Sequence, residues 1–171
     1  MITKLSESER YETMRGYFAF YLHEQMRLNP DIYFLTGDLG FGMADKLKRD
    51  FPERFVNCGA SEQAMIGMAV GLALNGKIPI VYSITPFLLY RPFETIRNYV
   101  NHESVPVILV GGGRDIDYLH DGFSHFSEED KQVMDLFPNI YSVWPESKEE
   151  IKDLLINTIS ERKATYINLT R

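Results

Sequence analysis

Residues 57–74 read Asn-Cys-Gly-Ala-Ser-Glu-Gln-Ala-Met-Ile-Gly-Met-Ala-Val-Gly-Leu-Ala-Leu, and they set one acid, Glu62, at the opening of an otherwise uncharged helix. Gly59 lets the backbone turn sharply after a short strand at 54–58, and Ser61 or Ala60 then falls where a helix cap is expected. Gly67 and Gly71, four apart, put a ridge without side chains on one face, while Met65, Met68, Ala69 and Leu72 supply apolar contacts. The pattern predicts a buried, closely packed helix. Gly76 ends it, and a third strand follows at 78–83.

The flanking sequence repeats this alternation. Residues 6–28 read as a first helix, with Tyr11, Met14, Phe18, Tyr21, Leu22 and Met26 near helical spacing and Asn29-Pro30 as a stop. Ile32 to Thr36 is a short apolar run, the signature of a strand buried on both faces, and Gly37-Asp38-Leu39-Gly40 is the loop at its carboxyl end. A short helix at 44–50 closes at Pro52. Beyond the third strand, Thr85-Pro86-Phe87 begins a loop, and Pro92 fits the first turn of a helix running to about Asn101. A fourth strand is expected at 105–110, followed by Gly111-Gly112-Gly113 and a polar loop through His125. A helix at 127–136, a strand at 140–143, an amphipathic helix at 147–160 and a strand at 165–169 complete the chain. Such alternation predicts an α/β protein: a three-layer α/β/α sandwich around a mostly parallel, doubly wound sheet of about six strands. Ligands bind such sheets at the carboxyl ends of the strands, where the strand order reverses. Asp38, Glu62, Phe87 and the 114–125 loop all follow strands.

A chain of 171 residues is expected to form one domain with a substantial core. With 44% apolar and 25% charged residues it has the composition of a globular protein, and a net charge of −6 offers no footprint for nucleic acid or an anionic membrane. The one cysteine, Cys58, has no basic neighbour in sequence and reads as a small buried filler. The absence of a Cys pair, of a signal-like start and of a long apolar run suggests a cytoplasmic setting.

Taken singly, the candidate residues have plain structural readings. Glu62 suits the first turn because the helix dipole favours an anion there by roughly 0.3–1 kcal/mol. Phe87 could be ordinary core, and Tyr82 reads as core packing. Asp115, Asp117 and Asp121 with His120 and His125 crowd into one short loop, but no predicted helix aligns them as metal ligands.

Their order along the chain resembles the pyrimidine-binding domain of transketolase-like thiamine diphosphate enzymes. Gly37-Asp38-Leu39 resembles the family's Asp-Leu segment, and Phe51-Pro52-Glu53-Arg54-Phe55 the stretch leading to its glutamate. Gly76-Lys77-Ile78-Pro79, an aromatic loop, Asp121-Gly122-Phe123-Ser124-His125 and Pro138-Asn139 follow in register. The resemblance implies the thiamin diphosphate-binding fold. It gives Glu62 the role of the acid that bonds N1′ of the aminopyrimidine, and Phe87 that of the stacking aromatic. It places Asp38, Leu39 and Tyr90 beside the cofactor, with Arg91 competing for the place of Tyr90 if the loop is one residue longer. Asp121 and His125 would face the substrate, His125 also assisting proton movement. Where transketolases carry a phosphate-holding histidine after the fourth strand, this chain has Arg114, which could hold a phosphate or carboxylate instead or pair with Asp115 or Asp117.

The resemblance covers one half of a cofactor site. The diphosphate-binding Gly-Asp-Gly segment with its downstream Asn, which holds Mg²⁺, has no counterpart, because Gly37-Asp38-Leu39-Gly40 lacks the second glycine in register. The expectation is a free-standing pyrimidine-binding subunit without diphosphate-binding or carboxyl-terminal domains. A separate subunit would hold the diphosphate and Mg²⁺, and the implied assembly is an α2β2 tetramer carrying out ketol transfer. An isolated subunit would expose an apolar flank that includes part of the Gly67/Gly71 helix. A thiamine-dependent 2-oxo acid decarboxylase, dehydrogenase or synthase subunit, and a non-catalytic scaffold, are the alternatives.

Overall fold

The computed structural model describes residues 12–171. Helix α1 (Met14–Leu28) starts where the Thr13 hydroxyl accepts the Gly16 N–H at 3.1 Å. Among the described residues the first helix is therefore shorter than its apolar spacing implies, and residues 6–11 of that reading lie outside them. Strand β1 (Ile32–Thr36), helix α2 (Asp45–Asp50), strand β2 (Phe55–Asn57), helix α3 (Glu62–Leu74) and strand β3 (Ile78–Ile84) follow. Next come α4 (Thr85–Tyr90), α5 (Phe93–Thr95), β4 (Ile108–Gly112), α6 (Asp130–Asp135), β5 (Tyr141–Val143), α7 (Ile151–Glu161) and β6 (Thr165–Leu169).

The six strands form one sheet in the order β2-β1-β3-β4-β6-β5, and every pairing is parallel. Side chains alternate across it, as the two-residue period of a strand requires. Ile78, Ile80 and Tyr82 of β3 join Phe18, Leu22, Leu47 and Leu155 on the face covered by α1, α2 and α7. Val81 joins Met65, Ile66, Leu88 and Met134 on the face covered by α3, α4 and α6. The result is the three-layer, doubly wound sandwich expected. From β1 the chain steps outward to β2 and then returns across to β3, so the order reverses between β1 and β3. Thr36 pairs with Tyr82 there, which brings Gly37-Asp38 alongside the end of β3.

Four local expectations change. The fourth strand lies at Ile108–Gly112, not 105–110. Pro106 has no N–H for the ladder and Val107 N–H turns back to Val105 O at 2.8 Å, so pairing begins later and runs through Gly111 and Gly112. Thr85-Pro86-Phe87 is the first turn of α4 and not a loop; Pro86 suits a first turn because its missing N–H is not needed there. The helix expected after Pro92 becomes a π-helix at Ile96–His102, with Glu103 N–H reaching back five residues to Asn98 O at 3.1 Å. The glycine ridge of α3 is not packed within the chain but lies on the open apolar flank expected of an isolated subunit: Met65, Ile66, Ala69, Val70 and Ala73 face inward, Met68 and Leu74 are exposed, and a Cβ at Gly67 or Gly71 would meet nothing within 4 Å. Among the described residues no helix is long and apolar enough to cross a membrane.

Candidate active site

Glu62 opens α3 with only 2% of its surface exposed. An ionised carboxylate at that depth needs partners, because desolvation disfavours its charge. Two side chains supply them. Arg91 Nη1 donates to Oε2 at 2.8 Å, and the Ser83 hydroxyl donates to Oε1 at 3.4 Å. Gly37 borders the same carboxylate: a Cβ there would stand 3.3 Å from Oε1 and 3.2 Å from Gly59 O. Glycine at 37 keeps this approach open.

Phe87 and Arg91 are four apart where α4 ends, a spacing that stacks side chains on one helical face. The Arg91 guanidinium carbon lies 3.7 Å over the centre of the Phe87 ring. On its edge Phe87 meets His125, with ring centres 4.9 Å apart and planes inclined by 65°. His125 Nδ1 lies 3.0 Å from the Ser124 hydroxyl, and its ring also approaches Tyr118 at 6.1 Å. Glu62, Arg91, Phe87 and His125 thus form one continuous line of contacts, although they come from three separate segments.

Beside this line, at the β1–β3 reversal, is a cavity of about 440 Å³ lined by Arg15, Leu39, Gly40, Tyr82 and Tyr118 among others. Arg15 Nη1 donates to the Tyr118 hydroxyl at 3.1 Å, while its buried Nε has no partner. Burial works against the Arg15 charge, but Tyr82, Tyr118 and Asp117 outweigh it and raise its pKa. Burial, chiefly, pushes the Tyr82 phenol up to about 12. Asp38 takes a positive φ of 59° and is held by Asn57, whose Oδ1 accepts the Asp38 N–H at 2.8 Å and whose Nδ2 donates to Asp38 Oδ1 at 3.1 Å. Leu39 O accepts the Thr36 hydroxyl at 3.1 Å, so Asp38 and Leu39 form a fixed rim.

The other candidates sit elsewhere. Arg91, not Tyr90, reaches Glu62. Tyr90 engages Glu129, and burial first, then Glu129, pushes its phenol up to about 12. Arg114 turns into the protein: Nε donates to Asn168 Oδ1 at 3.0 Å, and Nη2 to Pro145 O at 3.0 Å and Asn168 O at 2.7 Å. It ties β4 to β6, and the carboxylates of Asp115 and Asp117 do not hold its guanidinium. The Asp117 carboxylate instead accepts the Arg114 and Arg171 N–H groups. Asp121 is exposed on a turn at Leu119–Asp121, and Gly122, at φ +83°, reverses the chain into the turn that carries His125. Cys58 is half-buried, and burial pushes its thiol up, as a packing role predicts. Sequence reasoning missed Arg15 and Tyr118. A lone cation on the face of α1 that carries Phe18 and Leu22 was a signal for Arg15; Tyr118 had none.

The sequence pattern of the family described as transketolase, pyrimidine binding domain, matches residues 11–171. The chain belongs to this family. It is 36% identical over 163 residues to a putative transketolase C-terminal section from Methanocaldococcus jannaschii, covering 94% of this chain and 51% of that protein. It is 34% identical over 121 residues to one of the apulose-4-phosphate transketolase subunits of Actinobacillus succinogenes, covering 71% of this chain and 39% of the relative. Among solved structures, a split gene transketolase, described as an inactive β4 tetramer, superposes with a TM-score of 0.81 at 29% identity, covering 93% of this chain and 51% of that one. This transketolase-family chain spans about half the length of such relatives.

Proposed function

We propose that this chain is the pyrimidine-binding subunit of a two-component, thiamine diphosphate-dependent enzyme that transfers a two-carbon ketol unit between sugar or sugar-like substrates. The observation that carries the reading is the buried Glu62 carboxylate beside the Phe87 ring, at the strand ends next to the β1–β3 reversal. This pair accepts a flat cationic N–H donor already, in the form of Arg91. An aminopyrimidine fits the same description: a flat face for Phe87 and a protonated ring nitrogen for Glu62.

When bound, thiamine diphosphate supplies a carbon nucleophile able to hold negative charge. The residues of this chain do the rest. Glu62 shares a proton with N1′ of the pyrimidine; Phe87 fixes the plane of the ring; Asp38 and Leu39 form the rim. His125, packed on Phe87, moves a proton at the substrate oxygen, the acid–base role open to an imidazole. Asp121 reads a substrate hydroxyl. Arg15 and the Tyr82 and Tyr118 hydroxyls give the adjoining cavity the donors for an anionic or hydroxyl-rich end.

A separate diphosphate-binding subunit holds the diphosphate and Mg²⁺, in an α2β2 assembly. The names of the relatives, a C-terminal section, a transketolase subunit and a split gene transketolase, support a divided enzyme. Reconstitution with a diphosphate-binding chain from the same organism tests the proposal. Ketol transfer that needs both chains and disappears in Glu62→Ala is the result expected. Full turnover by Glu62→Ala, or decarboxylation of a 2-oxo acid without ketol transfer, overturns it.

A further inference from the structure

Arg91 makes two contacts at once that a bound ring also needs. Its guanidinium is planar, it lies 3.7 Å over the centre of Phe87, and its Nη1 is 2.8 Å from Glu62 Oε2. A guanidinium is flat, cationic and edged with N–H donors, so it satisfies the face of the aromatic and the lone pairs of the acid together. The remainder of the side chain has a way out, since 45% of it is exposed whereas the Glu62 side chain is 1% exposed. The acid is buried, and the cation has a solvent-facing side.

We infer that Arg91 is a resident gate of the pyrimidine site: its guanidinium occupies the place between Phe87 and Glu62 that the cofactor ring must enter, and it swings outward to admit the ring. The inference rests on the proposed function. It gives Arg91 two tasks. Before binding it neutralises a buried carboxylate that would otherwise stand unpaired, and its displacement makes entry conditional on a ligand able to replace both the stack and the hydrogen bond. An apolar ring without a donor leaves Glu62 bare and is rejected. Because the Glu62 carboxylate is buried while the Arg91 side chain is 45% exposed, holding the gate shut weakens apparent affinity at least about fivefold.

Side-chain NMR of the arginine-labelled chain, titrated with the aminopyrimidine fragment of thiamine, tests this without an activity assay. In the free chain the Arg91 N–H signals should be distinct and slow to exchange, and Glu62→Gln should release them. Saturating fragment should also release them, and Arg91→Met should bind the fragment at least about fivefold more tightly than wild type. Arg91→Lys, which keeps the charge but loses the flat fork, should fall between. Arg91 signals already free in the wild type, signals that persist at saturation, or weaker binding by Arg91→Met each overturn the gate, the last making Arg91 a positioning residue. Fragment binding that depends on Glu62 but is unchanged in Arg91→Met overturns the gate alone. No binding by wild type or by Arg91→Met, with the diphosphate-binding subunit also present, overturns the functional reading and the gate with it.

Discussion

Replacing Gly113 with alanine should damage the fold and the site together. Gly113 sits at φ +91°, a region that L-residues rarely adopt, and a Cβ built there runs into the Tyr118 ring. Its N–H donates to Leu169 O at 2.8 Å, and its carbonyl accepts the Thr85 and Ser127 hydroxyls at 2.7 and 3.1 Å. The backbone is therefore pinned on both sides and cannot relax to a negative φ. Left-handed strain costs about 1 kcal/mol, and forcing a methyl into a packed ring about 1–3 kcal/mol more. The sum, about 2–4 kcal/mol, lowers Tm by roughly 5–15 °C in a domain of this size. The ring that must give way is the one whose hydroxyl accepts from Arg15 and whose face neighbours His125, so the Arg15 cavity should change shape as well. Thermal unfolding followed by circular dichroism reads the first effect, and Tyr118 side-chain NMR the second. A Tm within about 1 °C of wild type, with Tyr118 undisturbed, would refute the reasoning, since neither the strain nor the clash would then exist.

Arg114→Ala should lower stability by about 2–4 kcal/mol, because charge-assisted hydrogen bonds to the Asn168 side chain and to the Pro145 and Asn168 carbonyls are lost; chemical denaturation measures it, and unchanged stability would return Arg114 to the ligand-facing residues. The Asp50 carboxylate is held down to about 2, first by the Arg49 hydrogen bond and, against burial, by His23. A depressed acid stabilises above its unfolded value and loses that stabilisation as pH falls through its folded one, so wild type should weaken between pH 3.8 and about 2 while Asp50→Asn shows a flatter profile over that window. Asn57→Ala removes the hydrogen bonds that hold Asp38 at positive φ and should speed amide exchange across 37–40 with a loss of about 1 kcal/mol in global stability; unchanged exchange would show that the rim holds without it.

The layers of this fold were legible because buried parallel strands advertise themselves as short apolar runs, and Ile32–Thr36 and Thr165–Leu169 fall where those runs lie. Errors gathered where one residue has two meanings. Pro86 marks a loop as readily as a first helical turn, and α4 follows from the second. Gly111 and Gly112 look like the start of a loop, yet they extend β4 where Thr85, Tyr166 and Tyr82 crowd against the backbone: a Cβ at Gly111 would come 2.6 Å from Thr85 Oγ1. Gly67 and Gly71 have the spacing of a packed ridge, but periodicity reports which residues share a face, not whether anything covers it. The positions of Glu62 and Phe87 at the carboxyl ends of strands were readable because each follows a strand in the sequence. The Arg91 contact was not, since residues 29 apart meet only once the β3–α4 turn has formed. Arg114 misled for a related reason: a cation in a polar loop suggests a ligand, whereas two backbone carbonyls and a buried amide at β6 claim it here.

The most direct test of the central claim is a calorimetric titration of thiamine diphosphate with Mg²⁺ into this chain together with its diphosphate-binding partner, in wild type and Glu62→Ala. Binding by the wild-type pair, weakened at least about tenfold in Glu62→Ala by loss of the charge-assisted bond to the pyrimidine, is the predicted result. Equal affinity in the two forms, or no binding by the wild-type pair, would contradict it.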